Sequence, residues 1–167
     1  MKNRGQTERS PVFRRAAKKT NGRARTKAAS EQKLENVPSV PGFLLTAALD
    51  VRAHAFAPYS HFQVGAALED TDGRIHTGCN VENATYGLTV CAERVAVFKA
   101  ISEGVRKFRR IAISADTDTL TPPCGACRQI LWEFCGDIEI ILVNPRGKTE
   151  TYQLKDLFPK PFDVSFL

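Results

Sequence analysis

The hydrophobic pattern of this 167-residue chain predicts an α/β protein: a three-layer α/β/α sandwich around a mixed five-stranded sheet. Three observations carry that prediction. Two β-type runs flank a short polar turn, which makes an antiparallel hairpin. The later β-type runs are separated by helical ones, and parallel strands need such crossovers. No stretch repeats elsewhere in the chain, so a solenoid is not in play.

Taken in order, residues 44–56 read as a helix, because Leu44, Leu45, Ala48, Val51, Ala55 and Phe56 recur at helical spacing and Pro58 stops the run. Residues 62–68 alternate loosely as a strand. Asp70 to Gly73 is a turn, and residues 75–81 resume as the second strand of the hairpin, with His76 expected on the solvent face. Residues 91–103 form a second helix, ended by Gly104. Residues 110–115 are a short buried strand, and 121–125 a loop rich in proline. A third helix follows over 126–135, then a strand over 138–143 and a short edge strand over 149–154. Residues 156–162 are expected as loop or a brief helical turn.

Charge is divided unevenly along the chain. Residues 1–40 hold eleven Lys/Arg and three Glu, a net +8, whereas residues 41–167 hold thirteen and fifteen, a net −2. The basic segment contains few large apolar residues and cannot offset its ordering entropy by burial, so it reads as a disordered N-terminal tail ahead of one domain over 41–167. Its Arg and Lys pairs could hold phosphate backbones nonspecifically, and an Arg-rich leader can also be a transit peptide. A solvated extension is the plainer reading. No apolar run approaches the ~20 residues of a membrane span, and no apolar secretory leader is present. A cytoplasmic setting is therefore expected, where the five cysteines are free, metal-bound or catalytic rather than paired.

The chemistry concentrates in Pro122-Pro123-Cys124-Gly125-Ala126-Cys127. Two cysteines two residues apart at a helix start can hold one metal, and the helix N-terminus favours thiolates. Cys-x-x-Cys alone is ambiguous among zinc, redox chemistry and coincidence. A zinc site needs a third ligand, with an open fourth position if it is catalytic. Cys135 lies eight residues past Cys127, about 12 Å along the helix, and reads as a small buried hydrophobe. Cys79 sits inside a strand. His54 and His61 have plain roles at a helix end and in a loop. Cys91 opens a helix as Cys124 and Cys127 do, and Glu93 stands beside it as a carboxylate that could move a proton without ligating. A purely structural zinc site would leave Glu93 without a purpose. Cys91-Ala-Glu93 and Pro123-Cys124-Gly-Ala-Cys127 match the zinc deaminase signature in an all-cysteine form.

Four segments in order then give a more specific likeness: Pro58-Tyr-Ser-His-Phe62-Gln-Val-Gly-Ala-Ala67, Gly78-Cys-Asn-Val-Glu-Asn-Ala84, Cys91-Ala-Glu-Arg94 and Pro123-Cys-Gly-Ala-Cys-Arg-Gln129. The chain closely resembles the homotetrameric cytidine deaminases of free nucleosides over residues 43–162. This resemblance implies one Zn²⁺ per subunit on Cys91, Cys124 and Cys127, with Glu93 as the proton shuttle. It implies that Asn80 and Glu82 hold the ribose, and that Phe62 packs on the base. The backbone of Ala92 and the carboxylate of Glu93 would meet the pyrimidine edge. Phe162, in Leu157-Phe-Pro-Lys-Pro-Phe162, would reach a neighbouring subunit's site, although Phe158 and Pro161 depart from the family's closing pattern. The implied reaction is hydrolysis of cytidine and 2′-deoxycytidine at C4 to the uracil nucleoside and ammonia, in pyrimidine salvage. Three thiolates leave the zinc centre at −1, and Arg94 and Arg128, each next to a ligand, are candidate partners for the sulfurs. The alternatives are a nucleoside-antibiotic deaminase and a polynucleotide deaminase aided by residues 1–40. The Asn-x-Glu-Asn segment favours a ribose, and Glu82 would repel a 3′ phosphate. No other contact with nucleic acid and none with membrane is expected.

Overall fold

The computed structural model describes residues 41–167, so the expected basic tail over 1–40 lies outside the described residues. Among those described, the elements run α1 (Gly42–Val51), β1 (Val64–Asp70), β2 (Ile75–Cys79), α2 (Ala92–Ser102), β3 (Phe108–Ala115), α3 (Gly125–Cys135), β4 (Glu139–Val143), β5 (Thr149–Gln153) and α4 (Leu154–Leu157). The sheet order is β2-β1-β3-β4-β5. Only β3 and β4 pair in parallel; the other neighbours are antiparallel. The mixed sheet and both crossovers agree with the expected class.

Alternation along the strands builds two cores. Ala66, Leu68, Ile111, Ile113, Ile140 and Leu142 point towards α2 and α3. Ala67, Ala112 and Ile141 point the other way, against Leu44 and Ala48 of α1. The sheet is thus sandwiched: successive side chains point to opposite faces, so the near-continuous apolar runs of β1, β3 and β4 make both faces apolar.

Two glycines let helices lie directly on the strands. A Cβ on Gly65 would meet the Ala48 carbonyl at 2.2 Å, and one on Gly78 would meet the Ala96 nitrogen at 2.5 Å and the Ala92 carbonyl at 2.6 Å. Those neighbours are backbone and have no rotamer to yield, so Gly78 sets how closely the N-terminal half of α2 sits on β2.

Several boundaries differ from the sequence reading. The first helix ends at Val51 and continues as a single 3₁₀ turn over Arg52–His54. Ala55 is already extended, and Phe56 bridges Val81 instead of completing a helical face; Pro58 disfavours helical backbone just before it. Val81 itself lies beyond β2. His76, expected to be exposed, is buried. Its Nδ1 lies 2.7 Å from Glu103 and its Nε2 3.2 Å from Asp70, so it ties the end of α2 to the hairpin. Asp70, expected in the turn, ends β1 with its side chain buried. It accepts from the backbone of Asp72 and Arg74 and from Arg74 Nε, each at 2.9 Å. A polar-looking strand end was thus a buried network, because each charged group found a partner inside the fold.

Burial alone would push the Asp70 carboxyl up, but the His76 hydrogen bond and those from Arg74 and Asp72 outweigh it and bring it from 3.8 down to about 2. Its stabilising contribution is therefore present above the unfolded value and disappears as pH falls from 3.8 towards 2. Asp70→Asn should cost about 1–3 kcal/mol of unfolding free energy at pH 7. The gap from wild type should close between about pH 4 and pH 2 in chemical denaturation series. A gap unchanged at the acid end would contradict the assignment.

Candidate metal and nucleoside site

Both β2 and β3 run antiparallel to β1, and Gly65 of β1 pairs with Cys79 on one side and Ser114 on the other. The two strands therefore end at the same edge, and the helices that follow them start there. Cys91 is the N-cap of α2 and Cys124 the N-cap of α3, while Cys127 lies in the first turn of α3. Neither cap uses a side-chain hydrogen bond to its helix, so the thiols are available for other partners.

The three sulfurs lie within 4.8 Å of one another, with Cys91 and Cys124 at 4.0 Å. Tetrahedral zinc with Zn–S near 2.3 Å would separate its sulfurs by about 3.8 Å, so the cluster has the size and donor type that zinc takes. Cys127 is buried, Cys91 half-buried and Cys124 exposed. A hydrogen bond from Cys127 draws the Cys91 thiol down to about 5, against burial and with help from Arg94. The same bond, with burial, pushes Cys127 up. Cys79 and Cys135 stay outside the cluster. Cys135 is pushed up to about 12 by burial and packs against the core, as a small hydrophobe should.

Glu93 occupies the first turn of α2 and is 5 % exposed. Burial pushes its carboxyl up to about 7, and the Cys91 charge adds to this, while a hydrogen bond with Cys127 opposes it. A carboxyl held near neutrality beside a metal cluster can both accept and return a proton. Ala92, fully buried, precedes it at the start of the helix, where backbone N–H groups lack intrahelical partners.

The two arginines part company. Both were expected to face the sulfurs: Arg94 Nη2 donates to the Thr89 carbonyl at 2.9 Å and to the Cys91 sulfur at 3.5 Å. Arg128 does not follow the same expectation. Its Nε donates to the Pro123 carbonyl at 2.8 Å and its Nη1 to the Leu157 carbonyl at 2.6 Å. Adjacency to Cys127 suggested a sulfur partner, but the side chain runs back along the helix start, where two carbonyls need donors.

The neighbouring loop is pinned by backbone pairing. Val81 bridges both Phe56 and Val90, which closes residues 82–89 into a loop leading straight to Cys91. Asn80 Oδ1 accepts from Val64 at 2.8 Å and Nδ2 donates to the Phe62 carbonyl at 2.8 Å, so the buried amide fixes the Phe62 backbone. One Nδ2 proton remains for another partner. Glu82 accepts from the Tyr59 and Ser60 backbone at 2.9 and 3.2 Å and from the Ser60 hydroxyl. The Ser60 hydroxyl holds its carboxyl below the usual range against some burial. Phe62 is 40 % exposed. Its loop includes His61 at φ 55, a left-handed turn that aims the segment outwards.

Tyr59, Ser60, Glu82, Tyr86 and Thr89 line an open cavity of about 370 Å³, a size that suits a small organic ligand. Tyr59 and Tyr86 meet edge to face at 6.0 Å. Sequence reasoning assigned no role to Tyr59, Ser60, Tyr86 or Thr89. Their signal was their position, flanking Glu82 and Cys91, but only the fold brings residues 59 and 86 together. Phe162 does not line this cavity; it is exposed and stacks on Phe166 at 5.5 Å.

Comparison with known proteins agrees with this arrangement. Residues 41–143 match the family described as "Cytidine and deoxycytidylate deaminase zinc-binding region". The chain is 48% identical over 127 residues to a cytidine deaminase of Sporosarcina psychrophila, covering 74% of this chain and 93% of that protein. It is 49% identical over 120 residues to a cytidine deaminase of Halalkalibacterium halodurans, covering 71% and 91%. The crystal structure of cytidine deaminase from Burkholderia pseudomallei superposes with a TM-score of 0.71 at 45% identity, covering 74% of this chain and 99% of that one.

Zinc analysis of purified protein should find one ion per chain. Serine at Cys91, Cys124 or Cys127 should weaken retention against a chelator by at least about tenfold. Cys79→Ser and Cys135→Ser should retain the metal. Loss of zinc from either of the latter two would place the ligands wrongly.

Proposed function

This chain belongs to the cytidine and deoxycytidylate deaminase zinc-binding family, and from that premise we propose that it deaminates free cytidine and 2′-deoxycytidine to the corresponding uracil nucleosides. The observation that carries the reading is the buried Glu93 in the first turn of α2, beside three sulfurs that converge within 4.8 Å of one another. Cys91, Cys124 and Cys127 would hold the zinc. Bound there, zinc supplies Lewis-acid activation of water.

The chain's own residues do the rest. Glu93 accepts one proton from the attacking water and passes it to N3, then takes the second from the resulting C4 hydroxyl and passes it to the leaving amine. Water adds to C4, the C–N bond breaks, and ammonia leaves. The Ala92 backbone and Glu93 present donors and acceptor to the pyrimidine edge, and Phe62 offers an exposed ring as a platform for the base. Asn80, with one amide proton free, and Glu82 would hold the ribose hydroxyls. Glu82 stays ionised at neutral pH, which supports a neutral hydroxyl rather than a phosphate as its partner and disfavours a polynucleotide. Arg94, donating to the Cys91 sulfur, would offset the negative charge of a three-thiolate centre.

A thiolate site requires a compartment that keeps thiols reduced, which supports a cytoplasmic role in pyrimidine salvage. No described helix is long and apolar enough to cross a membrane. A homotetramer is supported by the apolar side chains left exposed around the site loops, among them Phe56, Tyr86 and Leu88. In such an assembly Phe162 would complete a neighbouring site.

Turnover of free cytidine, followed by loss of ultraviolet absorbance, is the direct test. Glu93→Ala should keep its zinc and lose about 10²–10⁴-fold in kcat. A zinc-loaded wild type without turnover would overturn the function. In a separate comparison, Arg94→Ala should bind zinc and turn over about tenfold more slowly. Wild-type rates there would remove Arg94 from charge compensation and leave the reaction intact.

A further inference from the structure

The guanidinium of Arg128 joins two parts of the chain that have little else in common. Its Nε holds the carbonyl of Pro123, the residue before Cys124, and its Nη1 holds the carbonyl of Leu157, the last residue of α4. The next residue, Gln129, donates Nε2 to the Phe162 carbonyl at 2.7 Å. Leu157 and Phe158 pack against the core, but both partner segments make few backbone hydrogen bonds of their own. Pro122 and Pro123 have no N–H, and neither have Pro159 and Pro161. From Phe158 to Phe162, the hydrogen bonds recorded among the described residues are Phe158 N to the Leu154 carbonyl and the Gln129 contact. Beyond it, Asp163 caps its own terminal turn through Ser165, and Phe162 rests on Phe166.

We infer that Arg128 is a positioning residue that locks the Cys124 loop and the C-terminal arm over residues 158–166 into one unit, with Gln129 as the second tie. Occupation of the metal site and placement of the Phe162 arm are then linked through one side chain. A thiolate at Cys124 drawn onto zinc stiffens the Pro123 carbonyl, and the guanidinium carries that restraint to Leu157. The guanidinium serves the two carbonyls from two separate nitrogens, Nε and Nη1; a lysine ammonium keeps the charge but offers a single nitrogen and cannot reproduce that geometry. The role differs in kind from that of Arg94, which touches sulfur. The inference rests on the reading of Cys124 as a zinc ligand.

Hydrogen exchange measured by mass spectrometry on zinc-loaded and chelator-stripped protein tests it. In the wild type, stripping should speed exchange of peptides within residues 158–167 by about tenfold. Zinc-loaded Arg128→Ala should exchange there as fast as stripped wild type, and stripping should add nothing. Arg128→Lys should behave as Arg128→Ala does. Restoration of zinc-linked protection by lysine would show that charge alone suffices and would overturn the inference, as would an arm in Arg128→Ala that keeps the wild-type response. If Arg128→Ala does not fold, Gln129→Ala decides: faster arm exchange with one zinc per chain supports the tie, and wild-type exchange overturns it. Cytidine turnover does not enter these readouts. Zinc-linked arm protection in a protein inactive on cytidine would leave this inference standing and sink the proposed function. Turnover without that protection would do the reverse.

Discussion

Everything in the site depends on two helix N-termini arriving at one edge of the sheet. Three sulfurs within 4.8 Å are not delivered here by a single helix, because Cys124 and Cys127 take up the first turn of α3. The third must come from another chain segment whose helix starts at the same place. Parallel alignment of β2 and β3 on either side of β1 meets this requirement. The close seat of α2 on Gly78 then brings Cys91 within reach of α3. The helix starts also contribute positive ends of their dipoles, which favour thiolates at their caps.

Charge within the site is graded rather than uniform. The buried Glu93 is raised towards neutrality, whereas the half-buried Glu82 is lowered by the Ser60 hydroxyl. Two carboxylates of one site thus take opposite roles through their surroundings alone. In the proposed reaction the first would exchange protons and the second would present a negative acceptor. The two arginines divide in the same way: Arg94 faces sulfur and Arg128 faces carbonyls.

The end of the sheet away from the site is held by different means. Asp70, His76 and Glu103 form one polar chain, and Arg110 lies between Glu69 at 3.0 Å and Glu139 at 3.4 Å. These networks fasten strand ends where apolar cover is thin, and they leave the opposite edge to loops that must shape a site. The loop between Asn80 and Cys91 is such a segment, held by Val81 pairing with both Phe56 and Val90 and otherwise free to present side chains.

The sequence by itself determined the class of fold and singled out Cys91, Cys124 and Cys127 as a candidate metal cluster with Glu93 beside it, because strand and helix patterns and cysteine spacing are local quantities. It also separated Cys135 from the cluster by distance along one helix. Local patterns could not reveal that His76 is buried, since alternation on a strand does not say whether a helix end covers that face. Adjacency misled for Arg128, whose neighbour in sequence is a ligand but whose donors reach residues 5 and 29 positions away. Tyr59, Ser60, Tyr86 and Thr89 became a cavity only when residues some thirty positions apart were folded against one another. Packing and hydrogen-bond partners at long range are set by which surfaces must be covered and which carbonyls must be satisfied. Those demands exist only once the whole sheet has assembled.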